Sequence, residues 1–440
     1  MRHPNEALIR LRALLASRRS APPLQPGHEI VLLEGGREFF PALELAIDRA
    51  SRSVRVETYI FNDDSTGRRI AAALARAAAR GVSVQVVVDG FGTGEPKGEL
   101  AERLAQPGLD LRVFRPLRSL WPKRQALRRL HRKLALVDDQ TAFIGGINII
   151  DDQEDLLHGR LEAPRFDFAL QVRGPLVAPL AVAMRRVWQG SRQLASSPRG
   201  AASRLISGGG NVAGGACPPT KDQSVALRAD LPESLLVQAR QAERRAHRGV
   251  RAAFIERNNW RHRRTIERAY LRAIGRARSD VLIACAYFFP GARFRRALAA
   301  AAGRGVRVRL LLQGKIEYRL PHFGTLSLYE ELLSAGVEII EYRSSFLHAK
   351  LALADQWLTV GSSNIDPFSL LLAREANVVA RSAALAAELR AAVERAIAEG
   401  GEPVRLAQVR GRPWWLRLAS VAAFVVLRVG VALSGKGLRY

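Results

Sequence analysis

Two stretches of this chain are near-copies of one another, and that duplication limits the possible folds more than any other feature. Residues 39–90 are "FFPALELAIDRASRSVRVETYIFNDDSTGRRIAAALARAAARGVSVQVVVDG" and residues 263–314 are "RRTIERAYLRAIGRARSDVLIACAYFFPGARFRRALAAAAGRGVRVRLLLQG". Each runs helix, strand, helix, strand. The helices carry apolar residues three and four apart, as in Leu43, Ala46, Ile47 and Ala50. The strands are short apolar runs such as "VSVQVVV" and "VRVRLLL". Gly81 and Gly305 follow the second helices, where a C-cap belongs. Strands alternating with helices predict an α/β fold, and two copies predict two similar lobes related by a pseudo-twofold axis.

Each half also carries the pattern HxKxxxxD. The first is "HRKLALVD", with His131, Lys133 and Asp138; the second is "HAKLALAD", with His348, Lys350 and Asp355. A Gly/Ser turn and an asparagine follow: "GGIN" ends at Asn148 and "GSSN" at Asn364. "KLALV" and "KLALA" have the composition of buried strands. Side chains two apart on a strand share a face, so each His stands beside its Lys. Asp138 and Asp355 complete the motifs and are counted with the catalytic set. Their turn-like surroundings, "DDQ" and "DQW", at the far strand end also suit a residue that fixes the turn. Two ammonium groups and two asparagine amides converging on one spot would hold a phosphodiester and the extra charge of its transition state. Two histidines divide the remaining work: one attacks phosphorus and the other protonates the leaving oxygen. This chemistry needs no cofactor, and no spacing suggests a metal site.

Composition narrows the partner. Among 440 residues, 68 Lys+Arg stand against 41 Asp+Glu, a net charge of +27 that calls for a polyanion, either nucleic acid or an anionic membrane. Seven of the 68 are lysine, an arginine bias that codon composition can itself produce. Two cysteines, Cys217 and Cys285, exclude a disulfide scaffold and fit a reducing compartment. The N-terminal residues lack the apolar core of an export signal. The longest uncharged apolar run, Leu418 to Leu427, is too short to span a bilayer.

The duplicated motif resembles the signature of the phospholipase D superfamily, over roughly residues 30–400 apart from a Gly-rich insertion. That resemblance implies two phospholipase D-type α/β lobes, with mixed sheets flanked by helices, and a covalent phosphohistidine formed between them. It makes His131 the nucleophile and His348 the general acid and base. It also implies an acidic residue beyond each motif that orients a histidine, matching Asp167 in "PRFDFALQVRGP" and Glu375 in "LLAREANVVA". The expected organisation is an N-terminal extension (1–28), a first lobe (29–190), an irregular insertion (191–250) whose residues 226–250 look helical, a second lobe (251–400) and a C-terminal tail (401–440).

Within the superfamily, three features point to lipid. A basic and apolar segment over 112–130, including Arg112, Arg115, Arg128 and Arg129 and running into Arg132, precedes the first motif. The tail opens with Trp414 and Trp415, then alternates an apolar run with basic residues, as an interfacial helix does. Segments such as "AYFFPGARFRRAL" and "VGSSNIDPFSL" are similar to the short bacterial cardiolipin synthases of the B type. The resemblance therefore implies an anionic phospholipid substrate, phosphatidylglycerol, at a membrane surface, on the cytoplasmic side of the bacterial inner membrane, with no nucleic acid partner. A phospholipase D that uses water, and a nucleic-acid phosphodiesterase, are the alternatives the sequence leaves open.

Overall fold

The computed structural model describes residues 22–116, 128–193, 232–257, 262, 264–366 and 373–431. The expected halves are both present, and one sheet runs through them. In the first half, three parallel strands (Ser53–Thr58, Ser83–Asp89 and Leu109–Phe114) continue into antiparallel Lys133–Val137, Thr141–Gly145, Phe168–Arg173 and Gln25–Glu34. The second half repeats this order: parallel Asp280–Cys285, Arg307–Gln313 and Glu338–Tyr342, then antiparallel Lys350–Ala354, Trp357–Gly361, Glu375–Arg381 and His247–Arg257. Gln25–Glu34 pairs antiparallel with His247–Arg257, so the halves meet across a pseudo-twofold seam. His28 sits at this seam, donating Nδ1–H to the Val250 carbonyl (3.1 Å) and accepting the Leu176 N–H at Nε2 (3.0 Å).

Strand alternation sorts the core into layers. Leu134 and Leu136 join Leu351 and Leu353 in an inner layer shared by both halves. Ala135 and Val137 face outward against the helices Gly35–Asp48 and Ser65–Ala79, and Ala352 and Ala354 face the corresponding outer layer of the second half. The helix Ser65–Ala79 shows how the sequence builds these layers. The Asp64 side chain caps its start through the Gly67 N–H (2.8 Å), and Ile70, Leu74 and Ala77 form the buried stripe. Each fully buried Leu or Ile side chain contributes about 1.5–3 kcal/mol.

Two boundaries differ from expectation. The first strand starts at Gln25, inside the expected extension, and the last seam strand starts at His247, inside the expected insertion. Both open with polar, Gly-containing and largely exposed residues ("QPG", "HRG"), which carry no apolar strand pattern. The helical reading of 226–250 holds in part, as helix Glu233–Arg244. It buries Ala239 and Ala242, and its flank is tied to the first half through Arg49–Glu243 (3.2 Å) and Glu38–Arg245 (2.7 Å). Residues 194–231 lie outside the described set, as does the middle of the basic segment, 117–127.

Candidate active site

His131 and Lys133 stand at the start of the strand Lys133–Val137. That strand runs antiparallel to Ser53–Thr58, pairing Leu134 with Glu57, so its beginning lies at the carboxyl end of the parallel strands. His348 and Lys350 occupy the same place in the second half, where Lys350 pairs with Cys285. Open α/β sheets place ligands at this edge because the strand-to-helix turns leave a crevice there.

The orienting carboxylates cross between halves. Glu375 of the second half receives His131 Nδ1–H at 3.0 Å, and Asp167 of the first half receives His348 Nδ1–H at 2.6 Å. Backbone bonds lock both crossings. The His131 N–H donates to the Arg374 carbonyl (3.0 Å) and the Arg374 N–H to the Arg129 carbonyl (2.7 Å); the His348 N–H donates to the Phe166 carbonyl (2.9 Å) and the Phe166 N–H to the Phe346 carbonyl (3.0 Å). With each Nδ1 committed, each Nε2 is the nitrogen left for chemistry.

The other four members of the expected cluster join them. The Lys133 ammonium donates to the His131 carbonyl (2.7 Å) and that of Lys350 to the His348 carbonyl, which fixes both cations beside the imidazoles. The Asn148 side-chain oxygen accepts the Ile60 N–H (3.2 Å), leaving its amide N–H groups for a ligand. Asn364, buried at the equivalent turn, has its oxygen 4.0 Å from the Cys285 thiol. Asn148 and His348 line one chamber, Asn364 and His131 another, and Tyr318 borders both.

Asp138 and Asp355 are not in this cluster, which corrects their inclusion with the catalytic residues. Each sits at the far end of its strand with positive φ (53° in both) and accepts consecutive backbone N–H groups, of Ser51–Ser53 and of Arg278–Asp280. They fix the turn, as their surroundings suggested. Arg132 is a second correction. It does not extend the basic surface; it is 1% exposed and paired with Glu57 (2.5 Å) and Glu256 (3.2 Å).

Electrostatics separate the two halves. Burial, reinforced by the two lysines, holds His131 below its ordinary range while Glu375 pulls upward. Burial and the neighbouring Lys350, Lys133 and Arg165 hold His348 well below. Burial also pushes Lys133 down to about 7 and lowers Lys350. Burial lifts Asp167 to about 6 against the pull of Lys350. Burial acts on Glu375 too, but His131, Lys133 and the Ser362 hydroxyl outweigh it and hold the carboxyl low. Ser362 donates to Glu375 at 2.5 Å, and the first half has no counterpart. Gly146 stands at its position, and a Cβ there would lie 2.3 Å from Asp167 Oδ1.

A family model described as "Cardiolipin synthase, PLD-like domain" matches residues 43–156 and 270–397, the two halves just described. The chain belongs to this family. It is 36% identical over 412 residues to "Cardiolipin synthase B" of Salmonella typhi, covering 93% of this chain and 90% of that one. Identity to "Cardiolipin synthase B" of Escherichia coli K12 is 35% over the same length. The crystal structure of phosphatidylserine synthase from Haemophilus influenzae superposes with a TM-score of 0.65 over 96% of this chain and 98% of that one; at 14% identity this is a likeness of fold.

Sequence reasoning missed two residues beside this site. Ser362 was legible only as a turn residue. Tyr59, whose ring lies 4.9 Å from that of His131, belongs to a strand end with no motif of its own. The tail helix Trp414–Val431, expected to be interfacial, packs one face against the second half. Leu427 and Phe424 face inward, Leu427 lining the His131 chamber and Phe424 meeting Phe289 at 5.1 Å. Trp414, Trp415, Leu418, Val421, Val425 and Val429 face outward, with Trp414 75% exposed. Phe424 is partly buried at this contact. No helix among the described residues is long and apolar enough to cross a bilayer.

Proposed function

We propose that this phosphatidyltransferase makes cardiolipin from two phosphatidylglycerol molecules while attached peripherally to the cytoplasmic side of a bacterial inner membrane. The crossed, carboxylate-oriented histidine pair carries the reading, since it leaves two Nε2 atoms, two ammonium groups and two amides for one phosphodiester. His131 Nε2 bonds to phosphorus as the phosphorus–oxygen bond to glycerol breaks, and His348, protonated once the bound phosphodiester anion offsets Lys350, Lys133 and Arg165, gives its Nε2 proton to the departing oxygen. A hydroxyl of the second phosphatidylglycerol then surrenders its proton to His348, bonds to phosphorus and displaces His131. Lys133, Lys350, Asn148 and Asn364 hold the charge on the phosphoryl oxygens throughout. Glu375 supports the choice of His131 as nucleophile, because a carboxyl held low keeps a negative charge beside the imidazole that becomes cationic.

The exposed stripe of the tail helix supports attachment. Its two tryptophans suit the headgroup region, and exposed Leu156 and Leu157 give the His348 chamber an apolar rim on the same kind of surface. The test is purified full-length protein in phosphatidylglycerol vesicles, with products read by mass spectrometry. Cardiolipin and glycerol in equal amounts, and neither from His131→Ala, is the expected result. Phosphatidic acid alone would make the enzyme a hydrolase, and cleavage of single-stranded DNA with no lipid turnover would move it to the nuclease branch.

A further inference from the structure

The repeat offers an internal comparison for the residues behind the two histidines. Asp89 and Gln313 end equivalent parallel strands, and the glycine after each donates its N–H to the end of the next strand (Gly90 to Phe114, 2.8 Å; Gly314 to Tyr342, 3.0 Å). Both side chains are buried, and each accepts the N–H of the residue just ahead of a histidine. Asp89 Oδ2 takes that of Leu130 at 2.7 Å, and Gln313 Oε1 takes that of Leu347 at 3.0 Å. We propose that both are positioning residues, Gln313 for His348 and Asp89 for His131, and that Asp89 alone also braces its histidine from a second side, through Tyr59. This rests on the phosphatidyltransferase reading above, with His131 attacking phosphorus.

The second side begins at the other carboxylate oxygen. Asp89 Oδ1 accepts the Phe91 N–H (2.8 Å) and the Gly92 N–H (3.3 Å). These bonds hold the following turn against Tyr59. The Thr93 hydroxyl donates to the Tyr59 carbonyl (2.9 Å), and a Cβ on Gly92 would lie 2.9 Å from both Cδ atoms of the ring. That ring meets the His131 imidazole at 4.9 Å, with 63° between the planes, and lies 5.4 Å from the Lys133 ammonium. His131 is thus fixed at three places: Nδ1 by Glu375, the backbone through Leu130, and the ring by Tyr59. One carboxylate supports the last two. In the second half Ala286 stands where Tyr59 does, two residues past the strand pairing of Ala284 with Leu351 that matches Glu57 with Leu134. Among the described residues no aromatic ring lies against His348, and Gln313 accepts one N–H where Asp89 accepts three.

Charge separates the two positions as well. Burial raises the Asp89 carboxyl, while its three N–H donors and Arg129, 3.6 Å away, pull it down. Three donors shared between two oxygens suit the ionised form, which is an acceptor only. Ionised Asp89 favours the ammonium form of Lys133, alongside Glu375 and Asp167 and against Lys350. The Tyr59 ring adds to this, since an aromatic face attracts a cation. Gln313 brings no charge to its side. The half whose histidine becomes a cationic phosphohistidine is therefore the half with the charged, triply bonded support.

The experiment compares two substrates with full-length protein in nonionic detergent micelles: phosphatidylglycerol, and a phosphatidyl ester of nitrophenol, whose leaving group needs no proton. Rates are taken per folded molecule, with folding checked by thermal unfolding. Asp89→Asn sets an amide N–H against one of the three backbone donors and should slow phosphoenzyme formation about 10- to 100-fold on both substrates. Gln313→Met keeps the volume and removes the acceptor behind His348. It should slow phosphatidylglycerol turnover about tenfold yet leave the ester within about threefold of the wild type. Tyr59→Leu should slow the ester reaction about tenfold, and Tyr59→Phe, which keeps the ring, should stay within about threefold. A folded Asp89→Asn protein within about threefold of the wild type on the ester overturns the role of Asp89. The same result for Tyr59→Leu overturns the brace, and that measurement stands even if Asp89→Asn does not fold. Equal loss on both substrates in Gln313→Met overturns the division between the halves. A wild type that forms no phosphoenzyme from either substrate fails the phosphatidyltransferase reading instead.

Discussion

Glu375→Gln tests the crossed geometry most directly. The carboxylate is fully buried and takes two donors, His131 Nδ1–H at 3.0 Å and the Ser362 hydroxyl at 2.5 Å. An amide of the same shape fits the space, and the Ser362 hydroxyl can rotate to accept from it, so the loss of fold stability should stay within about 1 kcal/mol. What disappears is the negative charge. With charge centres about 4.5 Å apart and an effective dielectric constant of about 20, its attraction for a cationic His131 ring is roughly 3–4 kcal/mol. That attraction grows only as Nε2 bonds to phosphorus, so at about 1.4 kcal/mol per tenfold phosphoenzyme formation should slow by about 10²- to 10³-fold. A phosphatidyl ester of nitrophenol isolates the step, since nitrophenolate leaves without a proton; acid-quenched phosphoenzyme and released nitrophenol are the readouts. Asp167→Asn acts through His348, so it should be severe on phosphatidylglycerol and largely rescued by this ester, while Glu375→Gln should not be rescued. A folded Glu375→Gln protein within tenfold of the wild type on the ester would refute the reasoning. So would rescue of Glu375→Gln but not of Asp167→Asn, which would exchange the roles of the histidines.

Three further outcomes are expected. Lys133, lowered by burial to about 7, loses its charge as pH rises through that value, and Asp167, raised by burial to about 6, loses its charge as pH falls through that value. The pH profile of kcat/KM should therefore fall on both sides of a narrow maximum near pH 6–7, and Lys133→Arg should move the alkaline limb upward in whatever activity remains; a flat profile between pH 5 and 9 contradicts this. Arg132→Met leaves the buried Glu57 carboxylate unpaired and should cost about 3–5 kcal/mol in thermal or denaturant unfolding, with part of the loss regained in Arg132→Met/Glu57→Leu. Asp355→Ala removes the acceptor of three backbone N–H groups and should cost about 1–3 kcal/mol, while turnover per folded molecule at 25 °C stays within twofold; a kinetic defect without a stability defect would return Asp355 to the chemistry.

The repeat and its chemistry were legible because both depend on local spacing. Two-residue periodicity placed His131 beside Lys133 and His348 beside Lys350, and the Gly/Ser turns returned Asn148 and Asn364 to the same edge. Asp167 and Glu375 were recognisable as orienting carboxylates, but the histidine each one serves was not. That pairing depends on how the halves dock, through contacts such as His348 N–H to Phe166, and no residue spacing encodes it. Arg132 illustrates the same limit: in sequence it extends a run of surface arginines, and only the approach of Glu57 and Glu256 turns it into a buried ion pair. The chamber beside His348 was also invisible, since Asp155 and Arg165 come from the first half and Glu317 from the second.

The crossed carboxylates also describe how such a site can be assembled. Because each imidazole is held by the opposite half, neither half contains a complete acid–base pair. A chain carrying a single copy of the motif could reach this arrangement only as a symmetric homodimer, with each subunit lending its carboxylate to the histidine of its mate. Joining the copies in one polypeptide removes the concentration dependence of that encounter and frees the two sides to diverge, as Ser362 and Gly146 have done. It also sets an order during synthesis: His131 is made before Glu375, so its acid–base pair is complete only once the second half has docked.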